Sequence, residues 1–220
     1  MITAEQALAR LREGNRRFVA GELAQAKFAS PARRAELAEQ QSPIAIVLGC
    51  SDSRVPAEIV FDQGLGDLFV IRVAGNIVAP SQVGSVEFAA DRFDTRLVVV
   101  LGHTGCGAIT ATLEDLRDPD GSHSRYLRSI VDRVRPSVEV LYRAGLAIEP
   151  AELEHLAMRA NVVASVTHLR HGSDVLEQLI RDRGLRVVGA EYALATGEVE
   201  FFEIGSERAA GIEGAALPDG

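Results

Sequence analysis

The sequence predicts an α/β fold in which a central, mostly parallel β-sheet is flanked by helices. First, the runs Ile44–Leu48 and Leu97–Leu101 are short, β-branched and continuously apolar, as are strands buried on both faces of a parallel sheet. Second, segments with helical periodicity separate these runs, as in repeated β-α-β units. Third, two strand-like runs late in the chain are joined by Ala195-Thr196-Gly197, which predicts a hairpin and hence an antiparallel edge strand.

The first 42 residues predict a helical arm that precedes the sheet. Thr3 and Gln6 have the spacing of a capping box, and the apolar stripe that follows them predicts an amphipathic helix to about Ala20. Ser30-Pro31 predicts the start of a second helix. Helices ahead of the first strand need apolar surface to pack on, so we expect a partner subunit to cover part of this arm.

Residues 43–204 predict the α/β core, with no internal repeat and no interdomain linker. Its expected elements are a strand ending at Gly49, a helix over Val55–Gln63, a strand over Leu68–Val73, a helix over Ser81–Phe93, the strand Leu97–Leu101, a helix to about Leu116, a turn at 118–121, helical segments to about Arg183 broken near Gly172, and strands over Arg186–Leu194 and Glu198–Ile204. Residues 205–220 are rich in Gly and Ala and predict a loose tail. We therefore expect residues 1–220 to form a single domain.

The composition limits the classes of function and the compartment. A chain of 220 residues that is 47% hydrophobic and 25% charged can bury one substantial core. The net charge of −8 disfavours nucleic acid as a partner, and no run of about 18 apolar residues predicts a membrane span. The first residues lack the basic and then apolar pattern of a signal peptide. We therefore expect a soluble, cytoplasmic protein.

The only two cysteines lie in short motifs that directly follow the two apolar strands. The motifs are Cys50-Ser51-Asp52-Ser53-Arg54 and His103-Thr104-Gly105-Cys106-Gly107. Strand ends in an open α/β sheet form the ligand-binding edge, and two thiolates with one imidazole suit Zn²⁺ better than Mg²⁺ or Ca²⁺. Three protein ligands leave a fourth position for water, as in catalytic zinc sites. The alternative is two buried free thiols beside a histidine whose hydrogen bonds are satisfied.

Asp52 and Arg54 predict a carboxylate held beside this metal site. A carboxylate two residues from a thiolate ligand can accept a hydrogen bond from a water molecule on the metal. An arginine that pairs bidentately with the carboxylate would keep it ionised and fix its orientation. The alternative is an ordinary loop salt bridge, which contributes about 0–1 kcal/mol if it is exposed.

These residues carry a resemblance to the β-class carbonic anhydrases of bacteria. The motifs Cys-x-Asp-x-Arg and His-x-x-Cys-Gly, about fifty residues apart, resemble the zinc motifs of that family. Further similar stretches are Glu13-Gly14-Asn15-Arg16-Arg17-Phe18, Phe69-Val70-Ile71-Arg72-Val73-Ala74-Gly75-Asn76 and Gly84-Ser85-Val86-Glu87-Phe88. The resemblance therefore covers most of the chain.

The resemblance implies a site, a reaction and an assembly. By position, Cys50, His103 and Cys106 would be the zinc ligands, and Asp52 with Arg54 the catalytic dyad. The implied reaction is reversible hydration of CO₂ to bicarbonate and a proton by a zinc-bound hydroxide. The implied assembly is a homodimer with exchanged amino-terminal arms, or a homotetramer formed from two such dimers.

Other assignments stay open at the level of sequence. Val73, Ala74 and Gly107 are candidates for the pocket of a small apolar substrate, and Gln63 resembles a substrate-binding glutamine of the family or is simply a residue at a helix end. A hydrolase of carbonyl sulfide or carbon disulfide would use the same zinc chemistry on the same scaffold. A non-catalytic zinc-binding homologue is the third possibility, although both Asp52 and Arg54 are present.

Overall fold

Five strands form one mixed sheet in the computed structural model, which describes residues 2–24, 30–118, 124–145 and 147–202. The sheet order is β2-β1-β3-β4-β5, and every pairing is parallel except that between β4 and β5. The strands are β1 Ala45–Gly49, β2 Leu68–Arg72, β3 Leu97–His103, β4 Arg186–Tyr192 and β5 Val199–Phe202. The predicted fold class, including the antiparallel edge strand, is confirmed.

Helices flank this sheet on both faces. They are α1 Ala4–Ala20, α2 Pro31–Glu36, α3 Ala57–Val60, α4 Pro80–Arg92, α5 Gly107–Arg117, α6 Arg125–Arg143, α7 Pro150–His171 and α8 Asp174–Arg183, with a 3₁₀ turn at Ala74–Asn76. Of the helices described, none combines the length and the apolar character that crossing a membrane requires.

The central strands bury both of their faces. Ile46 and Leu48 of β1 point into the cluster covered by α4 to α8, whereas Ala45 and Val47 point into a second cluster that includes α1. All four side chains are inaccessible to solvent. Because both faces of β1 are covered, its sequence is continuously apolar and does not alternate between apolar and polar residues. This pattern is typical of a strand in a buried parallel sheet.

Helix α1 packs on the sheet of its own chain. Thr3 caps its first turn in the predicted capping box, and Ala7 and Leu11 are buried in the second cluster. At its far end, the buried Asn15 donates to the carbonyl oxygens of Val60 and Gly197 at 3.1 and 2.8 Å. The apolar face of α1 is thus covered by its own chain. In contrast, α2 buries no side chain among the described residues.

One predicted element differs in the structure for a physical reason, and one predicted turn has a clear conformational basis. The helix expected over Val55–Gln63 is shorter, because Pro56 is its N-cap and Asp62 adopts a left-handed φ of 45° beyond its end. The hairpin turn before β5 uses Gly197 with φ of 80°, a conformation that glycine adopts at little cost. Most of the predicted turn at 118–121 lies outside the described residues, and so does the predicted tail.

Candidate metal centre

The sheet topology brings the two cysteine motifs together. Cys50 directly follows β1, and His103 is the last residue of β3. These strands are neighbours in the sheet and run parallel, with Gly49 paired to Leu101. Cys106 follows after a tight turn at Gly105, where φ is 61°, and is the N-cap residue of α5. Two strand ends and one helix start therefore supply the three side chains.

The three side chains form a buried cluster of potential metal ligands. The ligand atoms of Cys50, His103 and Cys106 all lie within 4.8 Å of one another. Their exposed fractions are 5%, 0% and 1%. Two sulfurs and one nitrogen make a soft donor set, which suits zinc.

Hydrogen bonds orient the His103 ring. Its Nδ1 lies 3.0 Å from the carbonyl oxygen of Thr104, so Nδ1 carries the proton and donates it. Two hydrogen bonds fix Thr104 against β4 and the residues that follow it. The N–H of Thr104 donates to the carbonyl oxygen of Tyr192, and the N–H of Leu194 donates to the Thr104 hydroxyl. The remaining nitrogen, Nε2, is buried and has no hydrogen-bond partner among the described residues. An imidazole held in this way offers Nε2 to a metal ion.

The two thiols shift each other's pKa in opposite directions. A hydrogen bond from the Cys106 thiol lowers the pKa of Cys50 to about 4, whereas the same contact and burial raise the pKa of Cys106 above its ordinary value. Cys50 is therefore the more acidic thiol of the pair and Cys106 the less acidic one. A metal ion that binds both sulfurs must therefore displace the Cys106 proton.

Asp52 and Arg54 form a bidentate pair beside the cluster. Nε and one terminal nitrogen of Arg54 donate to the two carboxylate oxygens of Asp52 at 2.9 and 2.6 Å, and the Arg54 N–H adds a third bond of 2.9 Å. The Arg54 side chain keeps the pKa of Asp52 well below its usual range. His103 Nε2 lies 4.0 Å from Asp52 Oδ2. The carboxylate thus faces the cluster in its ionised form.

A second arginine holds the loop that carries both Cys50 and Asp52. Arg72, at the end of β2, donates to the carbonyl oxygens of Cys50 and Asp52 at 3.0 and 2.6 Å. Arg54 reaches the carbonyl oxygen of Gly105 in the other motif at 3.2 Å. The two motifs are therefore cross-linked by side-chain to backbone bonds as well as by the sheet.

Comparison with known proteins decides the family. A sequence model described as carbonic anhydrase matches residues 45–199. A carbonic anhydrase of Mycolicibacterium smegmatis is 42% identical over 191 residues, which cover 86% of this chain and 89% of that protein. Carbonic anhydrase 2 of Mycobacterium tuberculosis is also 42% identical, over 85% of this chain and 87% of its own length. The chain belongs to the β-carbonic anhydrase family.

Solved structures of β-carbonic anhydrases have the same fold. The enzyme CafA of Aspergillus fumigatus superposes with a TM-score of 0.71 and 25% identity, over 90% of each chain. The Coccomyxa β-carbonic anhydrase gives a TM-score of 0.68 and 27% identity, over 88% of this chain and 85% of that one. The metal of the family is zinc, and the buried S₂N cluster with its unpartnered His103 Nε2 fits it.

The candidate substrate residues divide into two groups. Val73 and Ala74 are half-buried in the turn that contacts Cys50 through Gly75, and Gly107 follows Cys106 at the start of α5. These three therefore adjoin the metal cluster.

Gln63 lies in the loop after α3, beside helix α1. It is buried beside Gly14 of α1, where a Cβ atom would approach its Nε2 to 3.0 Å. Its Nε2 donates to the carbonyl oxygens of Phe61 and Asp62 at 2.8 and 3.1 Å. Among the described residues, its hydrogen bonds go to this segment and none goes to the metal cluster.

The sequence analysis missed the residues that support the cluster from α7. Gly75 N–H donates to Cys50 Sγ at 3.4 Å, and Asn161 and Ser165 bind the two carbonyl oxygens that follow, those of Gly75 and Asn76. The only signal in the sequence is that both residues fall on the apolar stripe of α7, where a polar side chain needs a partner.

Proposed function

We propose that this protein catalyses the reversible hydration of CO₂ to bicarbonate and a proton, with zinc bound by Cys50, His103 and Cys106. The observation that carries the proposal is the buried cluster of two thiols and one unpartnered imidazole nitrogen beside an Asp–Arg pair. Membership of the β-carbonic anhydrase family supports the same reaction. When bound, zinc supplies hydroxide at neutral pH, because it lowers the pKa of its water to about 7.

We infer that Asp52 orients the reacting water. Its carboxylate remains ionised because Arg54 donates two side-chain hydrogen bonds to it, so it accepts a hydrogen bond and does not donate one. Such an acceptor fixes the O–H direction and leaves an oxygen lone pair directed at the substrate carbon. Arg54 is the positioning residue of the pair, because its contacts are with Asp52 and Gly105.

The substrate site is proposed to lie between the two motifs, with Val73, Ala74 and Gly107 at its wall. CO₂ carries no net charge and offers only weak acceptors, so small uncharged groups suit it better than charged ones. Gln63 stays a further candidate for substrate binding: its Nε2 donates to Phe61 and Asp62, but its buried Oε1 has no hydrogen-bond partner among the described residues.

We further propose a homo-oligomer in the cytoplasm. A solved relative from Sordaria macrospora is described as tetrameric. In this chain, Phe69, Phe88 and Phe93 form an aromatic patch beside the edge strand β2, with ring centroids 5.6–6.2 Å apart, and Phe88 is 54% exposed. Phe69 and Phe93 are half-buried, and an aromatic cluster that exposes one large ring in this way is typical of an interface. Two cysteines needed as thiolates support a reducing compartment.

The test of the proposed reaction is stopped-flow CO₂ hydration by protein whose zinc content has been determined, with carbonyl sulfide as a competing substrate. The expected result is one zinc per chain, rapid turnover of CO₂ and a much lower kcat/KM for carbonyl sulfide. A higher kcat/KM for carbonyl sulfide would assign the hydrolase activity instead. Full zinc occupancy without turnover of either substrate would make the chain a non-catalytic homologue.

A further inference from the structure

Helix α7 packs across the end of β3 that carries the metal cluster. Met158 and Val162 lie so close to Gly102, the residue before His103, that a Cβ atom there would meet them at 2.7 and 2.5 Å. Asn161 lies three residues after Met158, and Ser165 lies three residues after Val162. Their exposed fractions are 3% and 5%. One face of α7 thus presents apolar contacts to β3 and two polar side chains next to them.

The polar side chains bind the turn at residues 74–76. Asn161 Nδ2 donates to the carbonyl oxygen of Gly75 at 2.8 Å, and Ser165 Oγ donates to that of Asn76 at 3.2 Å. The separations along the chain are 86 and 89 residues, so these are tertiary contacts. Together they fix the two peptide groups that follow Gly75.

The turn needs this support because its backbone is strained. Gly75 and Asn76 have consecutive positive φ angles of 69° and 42°. A left-handed conformation is unfavourable for a residue with a Cβ atom, such as Asn76. A side chain at Gly75 is also excluded, because its Cβ would lie 2.9 Å from the Cβ of Ala108 in α5.

The turn at residues 74–76 also contacts the sulfur of Cys50, a proposed metal ligand. Gly75 N–H donates to Cys50 Sγ at 3.4 Å. A hydrogen bond to a thiolate draws charge from the sulfur, and such outer contacts orient a ligand and tune its bond to the metal. The chain of contacts therefore runs from α7 through the turn to Cys50.

We propose that Asn161 is a positioning residue of the metal centre, which holds Gly75 by its carbonyl group so that the N–H of the same residue stays on the Cys50 sulfur. Asn161 touches neither the ligand atoms nor the substrate wall by any described hydrogen bond, and it acts through Gly75. The proposal rests on the assignment of Cys50 as a zinc ligand. Ser165 is the secondary member of the same support, because it binds the next carbonyl along the chain.

The test compares Asn161→Ala with Asn15→Ala as a matched control. Asn15 is also a buried asparagine, which binds main-chain groups of Val60, Gly197 and Val199 away from the metal cluster. Three properties are measured: the thermal midpoint, the rate at which a chelator removes zinc, and the thiolate-to-metal absorption band of the cobalt-substituted protein.

The expected result is that both variants lower the thermal midpoint but only Asn161→Ala changes the metal. Zinc release should be about tenfold faster, the lower end of the usual effect of an outer-shell partner. The cobalt band should move to lower energy, because Cys50 loses a hydrogen bond and donates more charge. If the band and the release rate of Asn161→Ala match those of the wild type, the proposal is wrong.

Ser165→Ala keeps the test decisive if Asn161→Ala does not fold. It should shift the cobalt band in the same direction by a smaller amount, and an unchanged band in the folded variant would overturn the proposal. Zinc content and CO₂ turnover of the wild type are measured first. Their failure would count against the proposed function, whereas normal wild-type values with unmoved bands in the variants would count against the role of Asn161 alone.

Discussion

Asp52 is the residue whose chemistry separates an enzyme from a mere metal-binding protein. Its carboxylate is fixed by three hydrogen bonds from Arg54 and lies 4.0 Å from His103 Nε2. The structure thus holds an ionised acceptor next to the metal cluster without using it as one of the three clustered ligands. Removal of its charge should affect catalysis and metal binding to different extents.

We therefore predict that Asp52→Asn keeps zinc and loses about 100-fold or more in kcat, since the amide no longer presents two acceptor oxygens to water and Arg54. The magnitude is that of a lost proton-handling group. Zinc content by atomic emission and stopped-flow turnover measure the two effects. Asp182→Asn on the exposed surface of α8 is the control and should leave both unchanged. If Asp52→Asn also sheds zinc, Asp52 is a ligand and not an orienting group.

Cys50→Ser should remove zinc and activity together, because a serine hydroxyl is a far poorer zinc ligand than a thiolate at neutral pH. The chain should still fold, since the cluster lies at the ends of β1 and β3, two strands that are buried along their whole length. Metal analysis and circular dichroism on the same sample measure the two properties. Retention of full zinc by a folded Cys50→Ser protein would contradict the proposed ligand set.

At the scale of elements, α1 depends on a single large side chain. Leu11 is fully buried between the helix and the sheet. Leu11→Ala should lower the free energy of unfolding by about 3 kcal/mol, the usual loss for such a cavity. Val19→Ala, at a site 45% exposed on the same helix, should cost less than about 0.5 kcal/mol. Equal losses in urea unfolding would show that α1 does not pack on its own sheet.

Helix α7 is tied to the edge strand β5 by charge. Arg159 donates to Glu200 at 2.8 and 3.3 Å, and this bond lowers the pKa of Glu200. A carboxyl group with a lowered pKa stabilises the fold above its unfolded value of about 4.3, and this contribution disappears as the pH falls through the folded value. Because Glu200 is largely exposed, the contribution is small.

Glu200→Gln should thus lower the free energy of unfolding at pH 7 by less than about 1 kcal/mol. The difference from the wild type should shrink as the pH falls below about 4. Urea titrations of the variant and the wild type at pH 7 and below pH ~4 measure this difference. A difference that is constant with pH would mean that Glu200 acts by packing and not by charge.

At the scale of the whole molecule, the exposed aromatic patch Phe69, Phe88 and Phe93 is the surface that we expect a second copy to cover. Phe88→Asp should lower the mass found by light scattering towards that of a single chain, 23.6 kDa, because a charge cannot be buried there without a partner. Tyr126→Asp, at an 81% exposed site on α6, is the control. An unchanged mass for Phe88→Asp would exclude this patch as the interface.

The sequence predicts the fold and the cluster because both depend on local pattern. Strand ends are recognisable from apolar runs, and a parallel sheet brings the ends of β1 and β3 to one edge, so Cys50 and His103 could be paired before any coordinates were known. The contact of Asn161 with Gly75 could not be predicted, since it joins residues 86 positions apart. Gln63 shows the same limit, because the approach of Gly14 decides its environment.

Zinc K-edge X-ray absorption on the metal-loaded wild-type protein tests the central claim most directly. The account predicts two sulfur scatterers at about 2.3 Å and one histidine nitrogen at about 2.0–2.1 Å, with any further scatterer a light atom. Loss of one sulfur in Cys106→Ser would assign the second thiolate. A first shell of nitrogen and oxygen alone, or one with a single sulfur in the wild type, would contradict the proposal that Cys50, His103 and Cys106 hold the metal.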